Sequence, residues 1–298
     1  MAGPPGIEPG TYGLEAKTYG FRASLECLKG FYDFLVVDLQ KSECTAKSYC
    51  GVVKRFLQSV DEALTVENVR GYLKRVKEGC SRDRYNLTLS ALKAFLRDYL
   101  RQGWLVESFK HPPKVFKPKA VPSREELRRF YMALSSPCLK AYFLVAASSG
   151  LRRGEILGLT LADVDFEKRM LKPSSHKGAS KHSWVSFYNL EAEEALKLFR
   201  ASLTVKQAKS NRLFPISNRD FKAEWRQAQL KTGLKITSKS LRDWFAEEMS
   251  RLNVADRYID AFQGRTPASI LARHYTDYSP SKLKEIYEKA GLRVLEEA

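Results

Sequence analysis

Histidine and cysteine are scarce in this chain of 298 residues, with four of the first and five of the second. The cysteines (Cys27, Cys44, Cys50, Cys80, Cys138) are odd in number and form no Cys-x-x-Cys pair, which argues against a disulfide framework and a cysteine zinc site. They read as small core residues of a protein in a reducing cytoplasm. The histidines are scattered, no glycine-rich phosphate loop is present, and no Ser–His–Asp set stands out, so no metal and no cofactor is expected. There is neither an apolar run of ~20 residues nor a long basic amphipathic stretch rich in Trp and Leu, so a membrane partner is not expected either. Acid is in deficit as well: 34 Asp+Glu against 51 Lys+Arg leaves a formal charge of +17. That excess favours a polyanion, and nucleic acid first. With 44% hydrophobic residues the chain can bury real cores. Its length suits two domains of about 100–200 residues.

Composition divides it further. Residues 1–20 are rich in Gly and Pro and lack the apolar stretch of a secretory signal, so they read as a flexible leader. From 21 to 103 apolar residues recur every three to four positions in four successive segments, FRASLECLKGFYDFLVVDLQ, TAKSYCGVVKRFLQSV, TVENVRGYLKRVKEG and DRYNLTLSALKAFLRDYLRQG. Thr45 and Thr65 are candidate N-caps, and Gly79 and Gly103 candidate stops. Lys47, Lys54, Arg55, Lys74, Arg75 and Lys77 give this bundle basic faces. Residues 104–122 carry four prolines, which favour extended backbone, and four lysines (Lys110, Lys114, Lys117, Lys119) suited to a phosphate backbone. Ser123 with Glu126 makes a capping-box signature that opens a second domain over 123–298. Helical patterns dominate it, interrupted by two β-like runs, DVDFEKRML and KHSWVSF, either side of the turn-rich KPSSHKGAS. The fold class is therefore mainly α, with a small sheet in the C-terminal domain.

Within that domain stands an ordered set: Arg152 in SSGLRRGEILGL, Lys177 in HKG, Lys239 and Arg242 in KSLR, Arg265 in QGR, and Tyr275 in ARHYTDYS. A tyrosine hydroxyl, with an unperturbed pKa of ~10, is a weak nucleophile. A phosphodiester repels it, and fixed cations around one phosphate address that problem. The order and contexts resemble the tyrosine recombinases, or phage-type integrases, and within them the archaeal branch related to fusellovirus integrases. The resemblance covers roughly residues 123–291, and the helical bundle before it is similar to the family's core-binding domain.

The resemblance implies roles residue by residue. Arg152 and Arg242 would grip phosphate oxygens through paired hydrogen bonds. Glu155, on the same helical face as Arg152, would orient it or form a surface ion pair. Arg153 is a surface or DNA-backbone contact. Lys177 would protonate the leaving 5′-oxygen, with Lys181 as its rival, and either can instead contact phosphate. Lys239 stands where most relatives have histidine, and Arg265 where they have His or Trp. Both substitutions strengthen positive charge and leave the general base unassigned. Tyr275 is the candidate nucleophile, with Tyr278 one helical turn on as competitor.

Together these roles imply an enzyme that cuts DNA by tyrosine attack, forms a 3′-phosphotyrosyl bond and reseals to a partner duplex without metal or ATP. Two domains would clamp double-stranded DNA, and four protomers would assemble in synapsis. A type IB-like DNA-relaxing enzyme and a non-catalytic basic DNA-binding protein on the same scaffold are the alternatives. The segment SPSKLKEIYEKAGLRVLEE, with Leu283, Ile286, Tyr287 and Ala290 on one face, docks either on a neighbouring protomer or on its own domain. The leader peptide Gly6–Pro9, Gly-Ile-Glu-Pro between Gly/Pro flanks, is what the antisense strand of a tRNA T-arm can encode. That points to integration or excision of a mobile element at a tRNA gene overlapping this one.

Overall fold

A computed structural model describes residues 21–22, 25–60, 63–113, 115, 118–174, 183–267 and 269–296. The leader 1–20, Lys114, Lys117 and the segment holding Lys177 and Lys181 lie outside the described residues. The chain forms two compact units that divide between Lys117 and Pro118, within the segment read as a linker.

The first unit is a helical bundle: α1 (Cys27–Val37), α2 (Glu43–Ser59), α3 (Val66–Gly79) and α4 (Arg82–Leu92), which runs on into a π-helical segment, Lys93–Tyr99. Phe31 and Leu35 from α1, Val53, Phe56 and Leu57 from α2, Leu73 from α3 and Leu89, Phe95 and Leu96 fill its core. Thr65 caps α3 by accepting the Asn68 N–H, and α3 ends at Gly79. Other boundary expectations fail. Ser42 rather than Thr45 caps α2, because its hydroxyl accepts the N–H three residues on and Thr45 is already inside the first turn. The helical reading from residue 21 also gives way at its start. Phe21–Arg22 (β1) pairs antiparallel with Ala63–Leu64 (β2), so α1 begins only at Cys27. Gly103 falls in a short 3-10 turn beyond the last helix, which stops at Tyr99. Lys47, Lys54, Arg55, Lys74, Arg75 and Lys77 are all exposed, as is Lys110.

The second unit opens with the Ser123–Glu126 capping box on α5 (Arg124–Ala133). After it come α6 (Pro137–Ser149), α7 (Arg153–Gly158), strands β3 (Val164–Asp165), β4 (Met170–Leu171) and β5 (Ser186–Phe187), then α8 (Leu190–Ala201), α9 (Val205–Ala208), α10 (Asn218–Thr232), α11 (Ser238–Arg251), α12 (Asp256–Phe262), α13 (Ile270–His274) and α14 (Pro280–Ala290). The three strands form an antiparallel meander, β3-β4-β5. DVDFEKRML is thus a hairpin rather than one strand, turning through Arg169 at φ 50°. Nearly every residue of α6 is buried, so it forms the axis of the domain. The protein is mainly helical with one small sheet in this unit. Among the described residues no helix is long and apolar enough to cross a membrane.

The α14 face packs on its own domain. Leu283 and Tyr287 are buried, the Tyr287 hydroxyl donates to the Ser148 carbonyl at 2.9 Å, and its ring meets Phe187 and Phe262. The segment beyond α14 is fastened there too. Glu191 accepts the N–H groups of Val294, Leu295 and Glu296, while Arg124 and Arg128 donate to the carbonyls of Glu296 and Leu295.

Candidate active site

The site is built where α6 ends. Gly150 terminates that helix at φ 62°, a left-handed conformation that suits glycine, and a Cβ there would press into the Phe245 ring. The close approach lets α11 pass against the turn. Arg242, three residues before Phe245 on α11, reaches the Gly150 carbonyl through Nη1 at 2.6 Å. Its Nη2 donates to the Gln263 carbonyl at 2.6 Å, and Gln263 returns a bond from Nε2 to the Arg242 carbonyl at 2.7 Å. Arg242 therefore holds the residues two positions before Arg152 and two before Arg265.

Arg152 precedes α7 as its N-cap. Its backbone N–H donates to Glu155 Oε2 at 2.7 Å and its Nη1 to Glu155 Oε1 at 2.9 Å. Its Nη2 donates to the Gly264 carbonyl at 3.2 Å. Glu155 is only 6% exposed, so it is a buried brace for Arg152 rather than a surface ion pair. Arg265 follows Gly264 and is half-exposed. Its N–H donates to the Asp260 carbonyl at 2.8 Å, and its Nη1 lies 3.6 Å from an Asp260 carboxylate oxygen. The three guanidinium groups sit close enough to act on one another. Burial first, then the charges of Arg152 and Arg265, push Arg242 down to about 10. It remains a cation at neutral pH. Three arginines brought together at this cost in mutual repulsion are chemically suited to an anion.

The remaining candidates are placed less centrally. Lys239 is exposed on the first turn of α11, three residues before Arg242. Tyr275 closes α13, is 78% exposed, and has no hydroxyl partner among the described residues. Tyr278 differs: its hydroxyl donates to the Ala272 carbonyl at 2.7 Å and its ring meets Tyr258 edge-on. Arg153 is engaged within the domain, where its guanidinium lies over the Phe221 ring at 4.4 Å and donates to Asn218 at 2.9 Å. Its Nε is buried without a partner among the described residues. Lys119 is exposed and lies 3.7 Å from Asp243. Ser183, Gly150, Gln263 and Asp260 belong to the site, although sequence reasoning did not single them out. Gly150 and Gln263 lie inside the SSGLRRGEILGL and QGR motifs, whereas nothing local marks Ser183 or Asp260. No group of three or more His, Cys, Asp or Glu capable of holding a metal occurs among the described residues.

Comparison with known proteins gives a consistent picture. The model of the phage integrase family matches residues 123–282, and that of the phage integrase N-terminal SAM-like domain matches 28–103. The tyrosine recombinase XerA of Thermococcus onnurineus is 28% identical over 268 residues, covering 86% of this chain and 93% of its own. XerA of Thermococcus kodakarensis is 28% identical over 283 residues, covering 90% and 96%. A lambda integrase dimer bound to a COC′ core site shares the fold at a TM-score of 0.65 and 15% identity, over 86% of this chain and 98% of that one. A lambda integrase tetramer bound to a Holliday junction does so at 0.65 and 15% identity, over 86% and 78%.

Proposed function

The chain belongs to the phage integrase family and is a tyrosine-type site-specific recombinase, and from that premise we propose that Tyr275 cuts DNA at a phosphate held by Arg152, Arg242 and Arg265. The Tyr275 oxygen attacks phosphorus, forming a phosphotyrosyl bond on the 3′ side as the bond to the 5′-oxygen breaks. The tyrosine proton leaves to solvent or a nearby base, and Lys177 supplies one to the departing oxygen, which is otherwise a poor leaving group. The arginines neutralise the charge that gathers on the phosphate oxygens during the displacement. A 5′-hydroxyl of a partner duplex then attacks the phosphotyrosine, releasing Tyr275. Bond energy is kept throughout, so no ATP is consumed. The observation that carries the proposal is the bracing of Arg152 and Arg242 through the carbonyls of Gly150, Gln263 and Gly264, with Arg265 beside them on Asp260. A donor set fixed before the substrate arrives avoids reorganisation at the moment of reaction.

The two units would grip double-stranded DNA with the exposed lysines and arginines of the first, and four protomers would assemble on two duplexes, as the lambda integrase tetramer does on its junction. Lys-Ser-Leu-Arg in place of His-x-x-Arg, Arg265 after Gly264, and the Gly-Ile-Glu-Pro leader support a mobile element of the fusellovirus-like archaeal branch, acting in the cytoplasm at a tRNA gene. Without an antisense T-arm in the first codons of the gene, the tRNA target fails. The activity is tested by incubating the protein with two duplexes carrying that site beside a supercoiled plasmid. Exchange of flanking strands is the expected result. Relaxation without exchange would favour the type IB-like reading, and binding without any covalent adduct the non-catalytic one.

A further inference from the structure

We infer that Ser183 is a positioning residue for DNA cleavage, fixing the direction of Arg152 through a hydroxyl clasped between Arg152 and Glu155. This role rests on the recombinase reading of the chain. Ser183 is 4% exposed and Glu155 6%, so solvent has little access to either. The Ser183 hydroxyl lies 2.9 Å from both Glu155 oxygens, and Arg152 Nη1 lies 3.4 Å from Ser183 Oγ. A serine has one proton, and the carboxylate can only accept it. Toward Arg152, Ser183 is therefore an acceptor.

Counting donors shows what this does. A guanidinium has five N–H groups. Nη1 directs its two to Glu155 and Ser183, and Nη2 directs one to the Gly264 carbonyl. That leaves the Nε–H and one Nη2–H without a partner among the described residues, a fork for phosphate oxygens. Ser183 also shares the Glu155 charge. A buried carboxylate facing an arginine alone would draw the guanidinium toward itself and take up its field. With the serine proton and the Arg152 backbone N–H also on Glu155, more of the Arg152 charge remains for the substrate. The serine oxygen and the Gly264 carbonyl then hold the plane from two sides, and rotation of the fork away from the phosphate is opposed.

The test is single-turnover formation of the covalent DNA adduct, with DNA affinity measured separately. Ser183→Ala should slow adduct formation by about 10-fold, the size of one hydrogen bond to a charged group. DNA affinity should stay within about two-fold, because the bond matters to the transition state rather than to ground-state binding. Ser183→Thr, which keeps the hydroxyl, should recover most of the rate. In an Arg152→Ala background the Ser183→Ala change should slow the reaction no further, because Ser183 acts through that arginine. Wild-type rate in Ser183→Ala, or a full additional loss of about 10-fold in the Arg152→Ala background, would overturn the role. Should Ser183→Ala not fold, Ser183→Thr and Ser183→Cys decide: a threonine no better than the cysteine contradicts the inference. Failure of the wild-type chain itself to form an adduct would overturn the recombinase reading, and this role with it.

Discussion

Arg242 and Gln263 hold each other by two reciprocal bonds, Nη2 to the Gln263 carbonyl at 2.6 Å and Nε2 back to the Arg242 carbonyl at 2.7 Å. Gln263 is wholly buried, so the exchange takes place away from water. It joins α11 to the turn that carries Arg265. Because Arg242 reaches Gly150 as well, one side chain positions both of the other arginines.

A lysine cannot reproduce this, and pH should reveal it. Burial and the charges of Arg152 and Arg265 depress Arg242 to about 10. A lysine starts at ~10.4 rather than near the arginine range, and the same causes would lower it toward neutrality. It is charged below its own pKa and neutral above it, so charge at the phosphate is lost as pH rises. The ratio of Arg242→Lys to wild-type cleavage should therefore fall between about pH 7 and about pH 9, where the wild-type arginine stays charged. A ratio constant across that range would contradict the electrostatic account.

Gly150 tests the packing beneath the site. Its φ of 62° is strained for any other L-residue, and an added Cβ would press on the Phe245 ring. Gly150→Ala should lose about 2–5 kcal/mol of stability, combining backbone strain with overpacking. Urea unfolding measures it. An unchanged midpoint would mean that the turn and α11 yield easily, and that the site is less preorganised than its hydrogen bonds indicate.

The C-terminal segment gives a further prediction. Leu292 and Val294 are buried in the domain core, and the Glu191 carboxylate accepts three backbone N–H groups from Val294, Leu295 and Glu296. Truncation after Gly291 should lower stability by about 2 kcal/mol for each of the two buried apolar side chains lost. Binding of a single duplex should weaken along with synapsis. Loss of synapsis alone, with thermal stability preserved, would show that the segment serves a neighbouring protomer instead.

Much of this was legible in the sequence, and the gaps have physical causes. Segments with a sustained apolar period, such as α2, α8, α10 and α14, announce themselves because one face of each is buried. The α13 helix does not. Its five residues bury only Ala272 and leave Ile270 and Leu271 in solvent, so no period can show. The hairpin in DVDFEKRML was hidden because strands of two residues carry no alternation and Arg169 is not a residue that marks a turn. The arginines were found through their order and local context. Their bracing was not, since Arg242 meets Gly150 across 92 residues and Arg152 meets Gly264 across 112, through backbone carbonyls that every residue type possesses. Ser183 carries no local signal at all. Its partners are set by the tertiary fold.

Tyr275, exposed and without a hydroxyl partner among the described residues, is the nucleophile proposed here, whereas Tyr278 is anchored to Ala272. The direct measurement is trapping of the covalent protein–DNA adduct with a nicked substrate that loses its 5′-hydroxyl fragment after cleavage. Wild type and Tyr278→Phe should both form the adduct, the latter with at most about 1 kcal/mol lost from its hydrogen bond in stability. Tyr275→Phe should bind the same duplex and form none. An adduct that persists in Tyr275→Phe and disappears in Tyr278→Phe would contradict the account.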